Sequence, residues 1–367
     1  MDLNQCLRDM IAKKASDLYI TVGKPVSYRV DGSLVTQGVA LDQTALINML
    51  SSAMDKSSWD TFEQSREANF AIVRDEGRFR ISAFFQREMP GAVIRRIETT
   101  IPTMDSLKLP EVIKELSLAK RGLVLIVGAT GSGKSTSLAA MVGHRNQHTQ
   151  GHILTVEDPI EFVHEHNQCI VTQREVGLDT LSYETALKNS LRQAPDMILI
   201  GEIRNRETME YAMTFAETGH LCVATLHANN ANQAIERILH LVSKERKEQF
   251  LFDLSINLKG IIAQQLVRDK QANGRHGVFE MLLNSPRVSD LIRSGELHEL
   301  KATMSKSKQH GMQTFDQSLY QLVIDEKISQ DDALHHADSA NDLRIMLKSS
   351  QGSSKPSTLH DVKIDME

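Results

Sequence analysis

Cysteine is scarce in this chain, three of 367 residues, and no two stand near enough to form a C-x-x-C pair. Cys6, Cys169 and Cys222 therefore offer neither a disulfide framework nor a zinc site. Cys222, inside an apolar run, reads as a small core residue. Aromatic residues make up only 5% and the formal net charge is −5. A protein that tracks nucleic acid needs a basic groove studded with aromatic platforms, so that class is set aside. No uninterrupted apolar run approaches the roughly 18–20 residues that cross a bilayer. Met1-Asp2-Leu3-Asn4-Gln5 lacks the basic-then-apolar order of a secretory signal. The expectation is a cytoplasmic chain with no direct membrane insertion, reaching a membrane only through a partner.

What is present is ordinary for a globular protein, 41% apolar and 24% charged residues. The length suits two or three domains. Residues 1–100 read as a small α+β domain. Leu3, Leu7, Met10 and Ile11 fall at helical spacing, and alternating strands follow at Leu18–Val22 and Val26–Val30. An Asp31-Gly32 hairpin signal comes next, then a helical stretch over 42–64 and strands at Asn69–Val73, Arg78–Phe85 and Ala92–Ile97. Residues 101–119 form a proline-punctuated linker and short helix. Over 120–285 apolar strands alternate with helices, the mark of a mainly parallel sheet; 231–265 is expected to be mostly helical. Residues 286–348 carry amphipathic helices. Residues 349–367 form a polar Ser/Lys-bearing tail, expected to be flexible.

The sharpest signal is Gly128-Ala129-Thr130-Gly131-Ser132-Gly133-Lys134-Ser135, a G-x-x-x-x-G-K-[ST] loop between an apolar strand and a helix. Its glycines let backbone N–H groups turn inward around an anion, which the helix N-terminus attracts further. Lys134 reaches β- and γ-phosphates, and Ser135 offers a hydroxyl to Mg²⁺. With Thr136, these residues are the expected nucleoside-triphosphate-binding set.

Three later segments refine the chemistry. Ile153-Leu154-Thr155-Val156-Glu157-Asp158 ends a strand in two carboxylates, and Glu157 is placed to polarise the attacking water. Asp196-Met197-Ile198-Leu199-Ile200-Gly201-Glu202 is a Walker B pattern with Gly201 where an aspartate is usual, leaving Glu202 for the metal. Glu157 and Glu202 remain interchangeable as general base. His220 and His227 flank a short buried strand ending in Thr225-Leu226, where a γ-phosphate sensor belongs.

These segments resemble the Walker A, Asp, Walker B and His boxes of the secretion ATPase superfamily. Within it they resemble the PilT/PilU-type twitching-motility ATPases, the type IV pilus retraction motors. The resemblance runs from Ala15-Ser16-Asp17-Leu18-Tyr19-Ile20 to Gly311-Met312-Gln313-Thr314-Phe315-Asp316. It implies a PAS-like N-terminal domain, a RecA-like P-loop ATPase domain, and a hexameric ring with Mg²⁺-dependent ATP hydrolysis. It also implies an inner-membrane platform protein as partner and a place at the pilus base. In such rings arginines of a neighbouring N-terminal domain reach the phosphates, and Arg80 and Arg95 match that pattern. The four-cysteine module of extension-type relatives is missing. The helix that reads Ala-Ile-Arg-Asn-Leu-Ile-Arg-Glu in PilT-type proteins here reads Pro286-Arg287-Val288-Ser289-Asp290-Leu291-Ile292-Arg293-Ser294. That departure and the tail resemble the PilU-like branch, which implies an accessory to a PilT paralogue. A regulatory ring subunit whose own turnover is dispensable is the second reading.

Overall fold

The computed structural model of the chain describes residues 2–30, 32–97, 100–271 and 274–352, with 350–352 described by backbone alone. They fall into two units. One runs to Ile101 and also takes in Ile160–His164; the other holds the remainder.

In the first unit, helix α1 (Leu3–Ala12) precedes strands β1 (Asp17–Thr21), β2 (Val26–Val30) and β3 (Ser33–Gln37). Helices α2 (Gln43–Ser51) and α3 (Lys56–Ser65) follow, then β4 (Glu67–Arg74), β5 (Gly77–Gln86) and β6 (Met89–Ile97). The strands form one antiparallel sheet in the order β3-β2-β1-β6-β5-β4. Period-two alternation decides its faces. Phe79, Ile81 and Ala83 enter a core with Leu7 and Met10 of α1 and Leu46 and Leu50 of α2. Arg78, Arg80 and Ser82 occupy the alternate positions. The helical stretch 42–64 is two helices, because Asp55 starts the second by accepting from the Ser58 N–H, as Asp42 does from Ala45. Of the expected Asp31-Gly32 turn, Asp31 lies outside the described residues; Gly32 has a left-handed φ of 82°.

The second unit opens with α4 (Glu111–Ser117), β7 (Gly122–Val127), α5 (Lys134–His148), β8 (Gly151–Glu157) and β9 (Cys169–Glu175). There follow α6 (Tyr183–Ser190), β10 (Met197–Ile200), α7 (Arg206–Glu217), β11 (Leu221–Leu226), α8 (Ala231–Leu241) and α9 (Lys247–Asn257). Then come β12 (Leu258–Arg268), β13 (Arg275–Leu283), α10 (Pro286–Ser294), α11 (Leu300–Lys306), α12 (Phe315–Ile324), α13 (Gln330–His336) and α14 (Ala340–Gly352). The sheet order is β13-β12-β7-β11-β10-β8-β9, parallel except for the β12–β13 pair. Every residue of β7 is buried, as a strand covered on both faces must be. Leu123, Leu125 and Val127 join a core with Met209 of α7 and Ile235 of α8. Val124 and Ile126 join another with Ile113 of α4 and Met141 of α5.

The stretch 231–265 departs from its expected helical character. Helices α8 and α9 fill most of it, but from Leu258 the chain is strand β12, parallel to β7. An apolar run such as Ile261-Ile262-Ala263, buried on both faces, has no period-two signature and cannot be told from a buried helix by pattern alone. Strands β9 and β13 were likewise absent from the expected set. Residues 349–352 continue α14 instead of opening the tail, and 353–367 lie outside the described residues.

One buried carboxyl ties the C-terminal helices to the sheet. Glu280 on β13, 1% exposed, accepts the Ala231 N–H at the start of α8 at 2.8 Å and a backbone hydrogen bond from Phe315 at the start of α12. All three cysteines are buried with free thiols. Cys6 lies in the first core, Cys169 on the edge strand β9 and Cys222 on the central β11.

Candidate nucleotide site

The loop between β7 and α5 is shaped by what its glycines must avoid. Gly128 has φ 154°, and a Cβ there would lie 2.5 Å from the Gln264 backbone oxygen and 2.6 Å from Ser132 Oγ. Gly133 caps α5 at φ 89°, and a Cβ would meet Gln264 Nε2 at 2.8 Å. At Gly128 no side chain fits without moving the β12 backbone, and at Gly133 one would displace the Gln264 amide. Gln264, 3% exposed, further accepts the Ser137 hydroxyl at 2.8 Å, locking the first turn of α5 to the neighbouring strand. Reading 258–265 as helix hides this residue; a glutamine after Ile261-Ile262-Ala263 is the one signal that marks it.

Lys134 Nζ donates to the Gly128 and Ala129 carbonyls at 2.8 and 2.9 Å. The ammonium is thus held over the loop itself, aimed at the anion the loop is shaped for. Ser132 Oγ is buried with no hydrogen-bond partner, a donor that a bound phosphate oxygen would satisfy. Ala129, Thr130 and Gly131 form the exposed lip, while Ser135 and Thr136 stand half-buried on the first helical turn. Beside the loop a cavity of about 480 Å³ is lined by Gly128, Ala129, His227, Arg237 and His240 among others.

The acidic residues stand at the carboxyl ends of adjacent strands. In register, Val156 of β8 lies beside Ile200 of β10, and Ile200 beside Ala224 of β11. Glu157 closes β8, its Oε1 accepting from Thr155 Oγ1 at 2.6 Å and Gln173 Nε2 at 3.2 Å. Glu202 follows β10. Its Oε2 accepts from Arg204 Nε at 2.7 Å, and its Oε1 lies 3.2 Å from His227 Nε2. Arg204 also reaches Asp158 at 3.3 Å. The hydrogen bond to Glu202 is the main cause that raises the arginine's pKa. Thr225 hydroxyl donates to the Gly201 carbonyl, tying β11 to β10. Sequence reasoning foresaw Glu157, Glu202 and His227, and the fold brings these three to one edge of the sheet.

His220 is not brought there. Leu221 pairs with Gly122 and Leu226 with Val127, so His220 lies at the amino end of the strand, roughly 20 Å from His227 at about 3.3 Å per residue. Its Nδ1 is within 3.0 Å of Thr218 Oγ1 and 3.2 Å of the Phe215 carbonyl; it caps α7. Two histidines that flank one strand, His220 before Leu221 and His227 after Leu226, stand at its opposite ends.

In the first unit Arg80 and Arg95 are direct cross-strand partners. The row continues from Arg95 to Asp17 and from Asp17 to Arg29. Arg95 Nε donates to Asp17 Oδ1 at 2.8 Å while its side chain stays 70% exposed. Arg80 makes no hydrogen bond or ion pair among the described residues and is half-buried. This row is a cationic strip with one buried carboxylate.

For the expected groups the donor set fits. A nucleotide phosphate finds the glycine cradle, the Ser132 hydroxyl and Lys134. A Mg²⁺ ion would find the Ser135 hydroxyl and the Glu202 carboxylate, in keeping with a metal that completes its shell with phosphate oxygens and water.

Strand, glycine loop, helix and a row of carboxylates at neighbouring strand ends define a P-loop nucleotide-binding protein of the α/β class. The family model described as type II/IV secretion system protein matches residues 1–332. The type IV pilus ATPase PilU of Pseudomonas aeruginosa is 57% identical over 350 residues, covering 95% of this chain and 92% of that protein. The type IV pilus retractation ATPase PilT of the same organism is 39% identical over 339 residues, covering 92% and 98%. A crystal structure of the pilus retraction motor PilT with bound ADP superposes at a TM-score of 0.89 with 36% identity, covering 94% of this chain and 99% of that one. The chain belongs to the type II/IV secretion system protein family. Its fold is that of the PilT structure: a RecA-like P-loop domain preceded by a small PAS-like α+β domain.

Proposed function

We propose that this chain is a type IV pilus ATPase that hydrolyses ATP to drive or assist pilus retraction, as a subunit of a hexameric ring working beside a PilT paralogue. The observation that carries this is the 57% identity to PilU across 95% of the chain, joined to a glycine loop and strand-end carboxylates with competent geometry. The chain is an ATPase, like the relatives it matches. In our reading the loop from Gly128 to Thr136 wraps the phosphates, and Lys134 exchanges its two loop carbonyls for phosphate oxygens. Glu157, positioned by Thr155 and Gln173, takes the proton of the attacking water. Glu202 and Ser135 would hold Mg²⁺, which would supply charge neutralisation to the bound phosphates. His227, 3.2 Å from Glu202, senses whether the γ-phosphate is present. His220 has no part in this site. Arg80 and Arg95 act on the phosphates of a neighbouring subunit, where a guanidinium supplied in trans stabilises developing charge. The force passes to an inner-membrane platform protein, which puts the ring at the cytoplasmic face of that membrane.

The test is ATP turnover against protein concentration, with mass followed by light scattering, for wild type, Glu202→Ala and Arg80→Ala. Turnover confined to a hexamer and lost in both variants is the expected result. Turnover by a monomer that Arg80→Ala leaves intact would sink the ring mechanism. The altered α10 sequence favours one second reading, a ring subunit whose own turnover is dispensable. Pilus retraction that survives Lys134→Ala would select it.

A further inference from the structure

Helix α5 begins with Lys134 at the phosphate loop and ends on His148. Its last turns are fixed from the inside. Buried Arg145 donates to the Ser117 and Ala119 carbonyls, at 2.9 Å each. Buried Asn146 donates to the Glu165 carbonyl at 2.7 Å. With these two turned inward, His144 and His148, four residues apart, share a face that looks outward. His144 is half-buried and His148 exposed. Their rings stack with centroids 4.0 Å apart and planes 30° from parallel.

Two imidazoles at this spacing on one helix face can chelate a transition metal, as the histidines of an H-E-x-x-H helix do. Here Arg145 stands where that motif has its glutamate base, so binding follows from the pattern and hydrolysis does not. His148 Nδ1 lies 2.7 Å from the His144 carbonyl oxygen. A carbonyl only accepts, so in the neutral ring Nδ1 carries the hydrogen and Nε2 keeps its lone pair. An N–H held by a backbone carbonyl is the outer partner that metal-binding imidazoles generally have. His144 makes no side-chain hydrogen bond or ion pair among the described residues, which leaves its lone pair uncommitted.

The surrounding charges favour a cation. Lys114 is held by Asp105 at 2.8 Å and Glu111 at 2.9 Å, two carboxylates against one ammonium. The pair also sits at the C-terminal end of α5, the negative end of the helix dipole. Burial, then His148 and Lys114, hold the His144 pKa below its ordinary value against Asp105 and Glu111. That keeps the ring in its metal-binding form at neutral pH. No group of three or more metal-ligating side chains able to hold an ion occurs among the described residues, so water would fill the remaining positions.

We propose that His144 and His148 form a two-imidazole site for a divalent transition ion of the zinc, nickel or copper class, clamped on the last turns of α5. It is separate from any Mg²⁺ at the nucleotide, since Mg²⁺ takes oxygen ligands and imidazole suits the softer ions. A pair that only stacks would bind no ion, and the loss of either ring would change nothing that Zn²⁺ reports.

The experiment is calorimetric titration of the full chain with Zn²⁺, free of nucleotide and Mg²⁺, at about pH 7.5, where histidine is neutral. Wild type is compared with His144→Ala, His148→Ala and, as control, the exposed His298→Ala. Wild type should take up an ion that each of the first two variants binds at least about tenfold more weakly, since losing even an outer partner of a metal ligand costs that much. His298→Ala should match wild type. Zn²⁺ should also raise Tm more in wild type than in either variant. His148 is exposed, so the metal-free Tm of His148→Ala should equal that of wild type and rule out misfolding. No Zn²⁺ uptake by wild type, or uptake that either variant retains at full affinity, overturns the proposal. Turnover of ATP has no part in this readout, so the ATPase reading stands in either case.

Discussion

At the scale of single residues, burial decides which charges answer to pH. Glu280 is pushed from an ordinary value near 4.5 to about 7, chiefly by burial, with Asp338 adding to the rise and Lys301 and the two backbone donors opposing it. Asp316 stands in the same group, within 3.5 Å of Lys301. A carboxyl whose folded pKa is raised stabilises the fold fully below its unfolded pKa and loses that contribution as pH rises through the folded value. The chain should therefore lose stability between about pH 4.5 and 7, by on the order of 3 kcal/mol from this group. Glu280→Gln keeps the acceptor for Ala231 and removes the titration. Urea unfolding at pH 5 and pH 7.5 should show a smaller difference for the variant than for wild type. Lys134, Glu157, Glu202 and His227 were legible as candidates, because a phosphate, a water and a metal call for those residue types, and the structure sets them at the loop and at neighbouring strand ends. Gln264 was not, since it acts by shape against glycines distant in sequence. His220 misled, because nearness in sequence does not give the end of a strand.

At the scale of elements, the phosphate loop depends on a strand that lies far from it along the chain. Helix α5 and β7 present the loop, but β12 sets its curvature through the Gln264 backbone and side chain. Gly128→Ala puts a methyl against a backbone oxygen at an angle L-residues rarely adopt, so nucleotide binding should be lost. Gln264→Ala removes the partner of a buried hydroxyl, which costs about 1–3 kcal/mol, and should weaken ADP binding while leaving far-UV circular dichroism unchanged. Fluorescent nucleotide titration of both variants checks this; unchanged affinity in Gly128→Ala would contradict it. The sheet's central strands were legible because β7, β8, β10 and β11 sit between helices with clear periods. Strand β12 was not, since a strand buried on both faces shows an apolar run with no period of its own.

At the scale of the whole molecule, two units carry unlike surfaces. The second holds the nucleotide loop; the first holds the row Arg29, Asp17, Arg95 and Arg80. Arg95 belongs partly to its own fold, since removing it takes the 2.8 Å partner from the buried Asp17. Arg80 has no such tie. Arg80→Ala should leave Tm unchanged and lower turnover only at concentrations where chains associate. Arg95→Ala should lower Tm as well. Turnover and unfolding measured together on both variants separate a trans contact from a structural one. No helix among the described residues is long and apolar enough to cross a membrane. The division near residue 101 could be read from its two prolines, whereas the inclusion of Ile160–His164 in the first unit had no local signal.

The three sheltered thiols give the chain a built-in clock. Burial raises the Cys6 thiol to about 11 and lifts that of Cys222 further, so neither forms thiolate while its core stays closed. An alkylating reagent can then mark each only when its own surroundings open. Cys169, on an edge strand with its sulfur 3.1 Å from the Thr149 carbonyl, needs only the end of a sheet to lift. Cys222 needs the centre of that sheet to come apart. Pulsed iodoacetamide in rising urea, read by peptide mass spectrometry, should label Cys169 before Cys222, with Cys6 following its own schedule. One reagent and three masses would thus time the melting of each unit without an added probe.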